Sequence, residues 1–189
     1  KVKDENGNPK VVYHGTTRSF DTFAPADMAN RRLNVEGYYF TENPQEASSY
    51  ATTKLDRATE TVEKNQPIEG ANVMPVYLNI SNPYDTSKKN YISRDMEVAY
   101  QKALTKQIKE ESGIEDKTWV DEKVEELLDR GKLPFTAMDP KVEQEILKAG
   151  GFDGMKDGPH WVAFDSNQIK SATGNIGAFD RRSGNILAS

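Results

Sequence analysis

Strand-like segments lie near both ends of this 189-residue chain, and a block with helical periodicity lies between them. The segments 10–15 ("KVVYHG"), 72–80 and 160–165 are rich in the β-branched and aromatic residues that favour strands. Between 94 and 150 the apolar residues recur at helical spacing instead. Because strands and helices occupy separate segments, this order predicts an α+β fold rather than alternating βαβ units.

The stretch 94–150 predicts three charged helices. The residues expected to cap or stop these helices are Asp121, Asp139, Gly131 and Gly150. The density of charge favours a solvated helical subdomain over a catalytic core. We therefore predict a single domain over residues 1–189, with residues 94–150 as a helical insertion within it.

The segment 37–51, "GYYFTENPQEASSYA", reads as a strand, a turn and a helix. Its three aromatic residues at 38–40 favour the strand, and the Asn-Pro pair favours a turn with proline in the first helical turn. Thr41 is expected to cap the helix. This interpretation places Tyr50 on the helix that follows the strand.

The composition excludes several kinds of chemistry. The chain has no Cys, which excludes disulfides, thiolate metal sites and cysteine nucleophiles. Its two histidines, His14 and His160, are far apart and form no H-E-x-x-H pair, so we predict no metal. A G-x-S-x-G elbow, a Walker loop and a G-x-G-x-x-G loop are all absent from the sequence.

Charge and hydropathy point to an acidic, soluble protein. The net charge of −5 and the pI of about 5.2 give no broad basic field for nucleic acids, although Arg31-Arg32 and Arg181-Arg182 could form a local patch. The sequence has no signal peptide and no apolar run near the roughly 20 residues of a membrane span. We expect a cytoplasmic protein, and the start at Lys1 indicates part of a longer polypeptide.

Polar and aromatic residues collect at the ends of the predicted strands. An imidazole such as that of His14 can hydrogen-bond a ribose hydroxyl, and Gly15 would let a ligand approach the backbone. Tyr38, Tyr39 and Tyr50 could stack on a planar heterocycle. Each also has a structural reading: a satisfied strand-end histidine, a turn glycine, and tyrosines in the core, since alternation must bury either Tyr38 or Tyr39.

Three segments, "YHGTT", "GYYFTENPQEASSYA" and "HWVAFDSNQIKSA", together resemble a known family in their sequence and order. They resemble the ADP-ribosyltransferase fold of the poly(ADP-ribose) polymerase and diphtheria-toxin branch, and look most like the domains of phage and mobile-element polyvalent proteins. The resemblance covers roughly residues 10–52, 72–85 and 150–180. It implies a split antiparallel β-sheet with an NAD-binding cleft, into which the helical block is inserted.

The resemblance also implies roles for individual residues. The family's H-G-[ST] motif corresponds to His14-Gly15-Thr16. His14 is expected to hold the adenosine-side ribose, and the backbone of Gly15 to grip the nicotinamide amide. Tyr39 and Tyr50 are expected to sandwich the nicotinamide ring.

The third member of the family's His, Tyr, Glu triad is altered here. The family strand begins with Glu, whereas this strand, "HWVAFD", begins with His160. Cleavage of the nicotinamide–ribose bond builds positive charge on the ribose, which a carboxylate stabilises and a neutral imidazole cannot balance. Asp153, Asp157 or Glu42 could substitute for the missing carboxylate, while Gln168 comes after the strand, too far along to compensate.

These implications give ranked hypotheses for the function. The first is an NAD-dependent mono-ADP-ribosyltransferase, with His14, Tyr39 and His160 as catalytic residues and NAD as substrate. Its acceptor would be an unknown protein or nucleic acid, and the setting a bacterial cell in which a phage-delivered domain acts as a toxin or modifier. The alternative is a catalytically silent module of the same fold that binds NAD or ADP-ribose. A third hypothesis is an interaction domain that acts through its helices.

Overall fold

A computed structural model describes residues 1–25, 28, 35–52, 54–56, 61–63, 71–133, 138–174 and 182–187. The chain divides into two compact units. The first comprises Lys1–Met28, Tyr38–Ser81 and Pro159–Ser189, and the second comprises Ala29–Gly37 and Asn82–Gly158.

The helices and strands are numbered here in chain order. They are β1 (Val11–Thr16), β2 (Tyr38–Thr41), α1 (Pro44–Ala51), β3 (Lys54–Asp56), β4 (Thr61–Glu63), β5 (Asn72–Leu78), β6 (Pro83–Asp85), α2 (Arg94–Ser112), α3 (Lys117–Arg130), α4 (Pro140–Ala149), β7 (Gly154–Asp157), β8 (His160–Ala163) and β9 (Ile169–Ser171). Seven of these strands make up a mixed, mostly antiparallel main sheet, and β3 pairs with β4. The predicted α+β class is confirmed.

The first unit contains five of the main-sheet strands, in the order β8-β2-β1-β5-β9. Every neighbouring pair among them is antiparallel. Thr41 lies opposite Tyr13 of β1 on one side and opposite His160 of β8 on the other. The central position of β2 therefore brings the predicted His-Gly-Thr strand and the strand of His160 to within one strand of each other.

Strand alternation gives this sheet two distinct faces. One side, which we call the core face, packs into a hydrophobic cluster that includes Val12, Tyr38, Phe40, Met74 and Trp161. The other side, which we call the α1 face, carries Gly15, Tyr39, Thr41 and His160, and α1 packs there. The predicted alternation is confirmed, since Tyr38 is the tyrosine that enters the core.

Helix α1 begins at the proline of the Asn-Pro pair. Its N-cap is Asn43, whose side chain accepts hydrogen bonds from the amides of Gln45 and Glu46. The expectation that Thr41 caps this helix is wrong, because Pro44 at the first helical position places the cap one residue before it. The Thr41 hydroxyl instead donates to the Glu46 carboxylate at 2.7 Å.

The contact of α1 with β1 explains why residue 15 is glycine. A Cβ added at Gly15 would lie 1.9 Å from the backbone oxygen of Ala47 and 2.8 Å from its carbonyl carbon. Both distances are shorter than any real contact between such atoms, so only glycine permits this approach of helix to strand. The small buried residues Ala47 and Ala51 form the matching surface of α1.

The second unit holds the parallel pair of β6 with β7 and the helices α2, α3 and α4. The three helices predicted between 94 and 150 are present, and the stops at Gly131 and Gly150 and the cap at Asp139 are confirmed. The cap predicted at Asp121 is wrong. Asp116 caps α3 and accepts from the amide of Trp119, so Asp121 lies inside the helix, where it pairs with Lys117.

The insertion of these helices into a single domain stays a prediction.

In the part of the chain that the structure describes, no helix is both long enough and apolar enough to cross a bilayer.

Lys170 in β9 has a fully buried side chain, with 0% of its surface exposed. Its ammonium group donates to the backbone oxygens of Ser183, at 2.8 Å, and Asn185, at 2.7 Å. A buried cation is costly unless its protons are satisfied. These two bonds therefore tie the segment 182–187 to the sheet of the first unit.

We predict that Gly15→Ala destabilises the fold by about 1–3 kcal/mol or more, because the new methyl group must push α1 away from β1. Urea unfolding measures the loss. Gly184→Ala is the matched control, since a Cβ there would first meet the Ser166 hydroxyl oxygen at 3.0 Å, a flexible side-chain atom. Equal losses in the two variants would contradict this account of the helix–strand contact.

Candidate functional site

His14 makes a hydrogen bond to the backbone of Tyr39, another of the predicted site residues. Its Nδ1 lies 2.9 Å from the carbonyl oxygen of Tyr39 on the neighbouring strand. A carbonyl oxygen only accepts, so Nδ1 carries the hydrogen and donates it. In the neutral ring Nε2 is then the acceptor nitrogen, which suits a bond from a hydroxyl group.

The ring of His14 belongs to the core face. Its centroid lies 5.0 Å from that of Phe23, 5.6 Å from that of Phe40 and 6.3 Å from that of Phe20. The side chain of Tyr39, by strand alternation, belongs to the α1 face. The two residues are therefore adjacent through the backbone, whereas their side chains lie on opposite faces of the sheet.

The backbone pairing of β1 with β2 ends before Gly15. Within these two strands, both fully described, the paired residues are Tyr13 and Thr41. The side chain of His14 meets the Tyr39 carbonyl two residues farther along. Gly15 lies two residues past Tyr13 along β1, so it is beyond the ladder pair on the side of β2.

Both predicted stacking tyrosines retain exposed surface. Tyr39 is half-buried on the α1 face, whereas its neighbour Tyr38 is buried in the core. Tyr50 on α1 is 41% exposed, so the alternative of a core tyrosine does not apply to it. Thr16, the last residue of β1, accepts a bond from the amide of Arg18 through its hydroxyl oxygen.

His160 starts β8 and lies beside a carboxylate of α1. Its side chain is buried, and its Nε2 is 2.9 Å from Oε1 of Glu46. Oε2 of the same carboxylate accepts the hydroxyl of Thr41 at 2.7 Å, and the hydroxyl of Tyr50 reaches Oε1 at 3.4 Å. We call Glu46, Thr41, Tyr50 and His160 the Glu46 network.

The Glu46 network favours the charged carboxylate. The hydrogen bond from His160 and then that from Thr41 lower the pKa of Glu46, against the opposing effect of burial. A carboxylate is an acceptor only, so the Nε2 of His160 carries the hydrogen. The buried imidazole therefore has an ionised partner.

The acids considered from sequence have other partners. Glu42 accepts bonds from Lys10 and from the indole of Trp161. Asp153 accepts the amide of Asn82, and Asp157 accepts the hydroxyl of Thr86. The amide oxygen of Gln168 accepts the backbone N–H groups of residues 164 and 165.

Glu46 is the residue that sequence reasoning missed. One signal for it existed, because it stands three residues after the N-cap Asn43, where an acid commonly bonds back to the cap. The side chain turns instead toward Thr41 and His160. His160 is distant in sequence, so no local pattern shows the contact.

No set of three or more His, Cys, Asp or Glu side chains within the described ranges is arranged to hold a metal ion.

We predict that Glu46→Gln, which keeps the size but removes the charge, lowers the free energy of unfolding by roughly 1 kcal/mol at neutral pH. A depressed folded-state pKa means that the charge stabilises the fold above its ordinary pKa of 4.5. That contribution is lost as the pH falls through the folded-state value. Urea unfolding of both proteins over a pH series measures the difference, and a pH-independent difference would contradict the assignment.

Comparison with known proteins places the whole second unit and most of the first in one family. Residues 4–179 match the family model described as ADP-ribosyltransferase in polyvalent proteins. No curated protein and no solved structure matches the chain. The match covers more than half of the sequence and includes every predicted site residue, from His14 to His160. The chain belongs to the family of ADP-ribosyltransferases in polyvalent proteins.

Proposed function

We propose that this chain is an NAD-dependent mono-ADP-ribosyltransferase that transfers ADP-ribose to a protein or nucleic-acid acceptor. The observation that carries the proposal is the bond between His14 and the Tyr39 carbonyl, at the strand end beside Gly15. This bond holds the His14 ring against the backbone of Tyr39, which supports the proposal that both residues take part in NAD recognition. Family membership supports the transferase class.

His14 and Gly15 bind the dinucleotide in this proposal. The Nε2 of His14 accepts a hydroxyl of the adenosine-side ribose, because Nδ1 is already committed to Tyr39. The peptide groups of Gly15 pair with the carboxamide of nicotinamide, and Thr16 lies beside them. Tyr39 and Tyr50, both with exposed surface, stack on the pyridinium ring.

The reaction breaks the bond between the nicotinamide nitrogen and the C1′ carbon of its ribose. The bonding electron pair leaves with nicotinamide, which becomes neutral, and positive charge develops on the ribose. An oxygen or nitrogen of the acceptor then attacks C1′ and releases its proton to water. When water itself is the acceptor, the products are nicotinamide, free ADP-ribose and a proton.

The transfer of a single ADP-ribose follows from the residue at 160. Chain elongation in the resembled branch depends on the Glu that His160 replaces. The overall negative charge favours a protein or a small extruded nucleic-acid segment over a long duplex as acceptor. A domain of a polyvalent protein would act in the cytoplasm of a bacterial host, on host macromolecules, as a toxin or modifier.

One observation favours a second function, a silent module that binds NAD or ADP-ribose without turnover. His160 is buried and stands where the resembled strand has Glu. A neutral imidazole alone supplies no negative charge to the transition state.

The decisive experiment incubates the purified chain with NAD and measures free nicotinamide by chromatography. In parallel, lysate proteins and oligonucleotides are searched by mass spectrometry for ADP-ribose adducts. Nicotinamide release together with an adduct supports the enzyme. NAD binding without either product supports the silent module, and the absence of binding contradicts both.

We predict that Tyr39→Ala and Tyr50→Ala each weaken NAD binding about tenfold, or about 1.4 kcal/mol, because each removes one stacking surface. Calorimetry of the free chain with NAD measures the change. Tyr91→Ala is the matched control, since Tyr91 is 84% exposed and lies in the second unit. Wild-type affinity in both site variants would contradict the sandwich.

A further inference from the structure

The carboxylate that the third triad position lacks is present on a different element. Position 160 holds an imidazole, and Oε1 of Glu46 lies 2.9 Å from its Nε2. We propose that Glu46 is a positioning residue that supplies, through His160, the negative charge needed beside the nicotinamide ribose. This inference rests on the proposed function. It names Glu46 as the group that allows His160 to take the place of the triad carboxylate.

The geometry restrains the carboxylate on both oxygens. Thr41 and His160 lie directly opposite each other in the ladder of β2 and β8, and each bonds a different oxygen of Glu46. The hydroxyl of Tyr50, one helical turn after Glu46, approaches Oε1 as well. Two strands and a helix therefore fix one carboxyl group, and preorganisation of this kind is what a charge-stabilising site requires.

The direction of the hydrogen bond decides which nitrogen serves the substrate. The ionised carboxylate takes the hydrogen of Nε2, so the lone pair of the neutral ring lies on Nδ1. Nδ1 accepts the ribose hydroxyl as positive charge grows on C1′. A carboxylate behind an imidazole fixes the tautomer and the orientation of the ring. If the ring becomes protonated, the pair with Glu46 remains neutral overall rather than repelling the ribose.

Glu42 provides an internal comparison. It lies four residues before Glu46 and its side chain has nearly the same exposure, 26% against 27%. Its partners are Lys10 and Trp161, and Trp161 belongs to the core face. Glu42 is therefore a carboxylate of similar exposure that is held by a different pair of side chains.

The first test compares Glu46→Gln with Glu42→Gln in the NAD-cleavage assay, at a temperature where circular dichroism shows both variants folded. We expect Glu46→Gln to lower kcat about 10- to 100-fold with little change in KM, because it removes charge from behind the catalytic imidazole. We expect Glu42→Gln to retain wild-type kcat. If the role of Glu46 were purely structural, Glu46→Gln would lower the stability of the fold without this selective loss of kcat.

The second test exchanges the charge between the two positions. His160→Glu alone places a carboxylate against the Glu46 carboxylate, and like charges oppose each other's ionisation. Adding Glu46→Gln relieves this repulsion, so the double variant should be at least about tenfold faster than His160→Glu alone. We therefore expect Glu46→Gln to lower the rate of NAD cleavage when residue 160 is His, and to raise it in the His160→Glu background.

The outcomes separate this inference from the proposed function. An active wild-type chain whose Glu46→Gln variant is no slower than Glu42→Gln overturns the role of Glu46 alone. So does an equal effect of Glu46→Gln in both backgrounds at position 160. A wild-type chain that releases no nicotinamide from NAD overturns the proposed transferase, and the contribution of Glu46 to turnover with it.

Discussion

A single hydrogen atom at residue 15, in place of a side chain, allows α1 to lie directly on β1. The oxygen of Ala47 occupies the space that a Cβ would need. This contact fixes the height of the helix above the sheet, and with it the positions of Glu46, one residue before Ala47, and Tyr50, three residues after it. The glycine therefore serves packing.

The close approach of α1 to the sheet explains why the carboxylate of Glu46 is ionised. At this depth the Glu46 carboxylate meets donors from two strands, Thr41 and His160. Hydrogen bonds to an ionised acceptor are stronger than neutral ones, and they offset the cost of partial burial. The network thus joins a charge, an imidazole and the hydroxyl of Tyr50 in one connected group. The core face of the same two strands carries Tyr38, Phe40, Trp161 and Ala163.

The sequence predicted the elements better than the contacts. Strand and helix patterns are local, so the order of elements and the alternation in β2 could be read directly. The cap was misassigned because Thr41 and Asn43 are both good capping residues, and only the placement of the Pro ring decides between them. The partnership of Glu46 with His160 could not be predicted, because it joins positions 114 residues apart through the packing of a helix on a sheet. The substitution at a recognisable motif position was visible, but the carboxylate that lies beside it in the structure was not.

The buried ammonium group of Lys170 determines how far toward the C-terminus the folded domain must extend. The family match ends at residue 179, yet the two carbonyl groups that hold this ammonium belong to Ser183 and Asn185. A fragment cut at the end of the sequence likeness would remove two acceptors from a cation that has no exposed surface. The residues needed for a stable fold therefore extend past the end of the family match, and any shortened version should include Asn185.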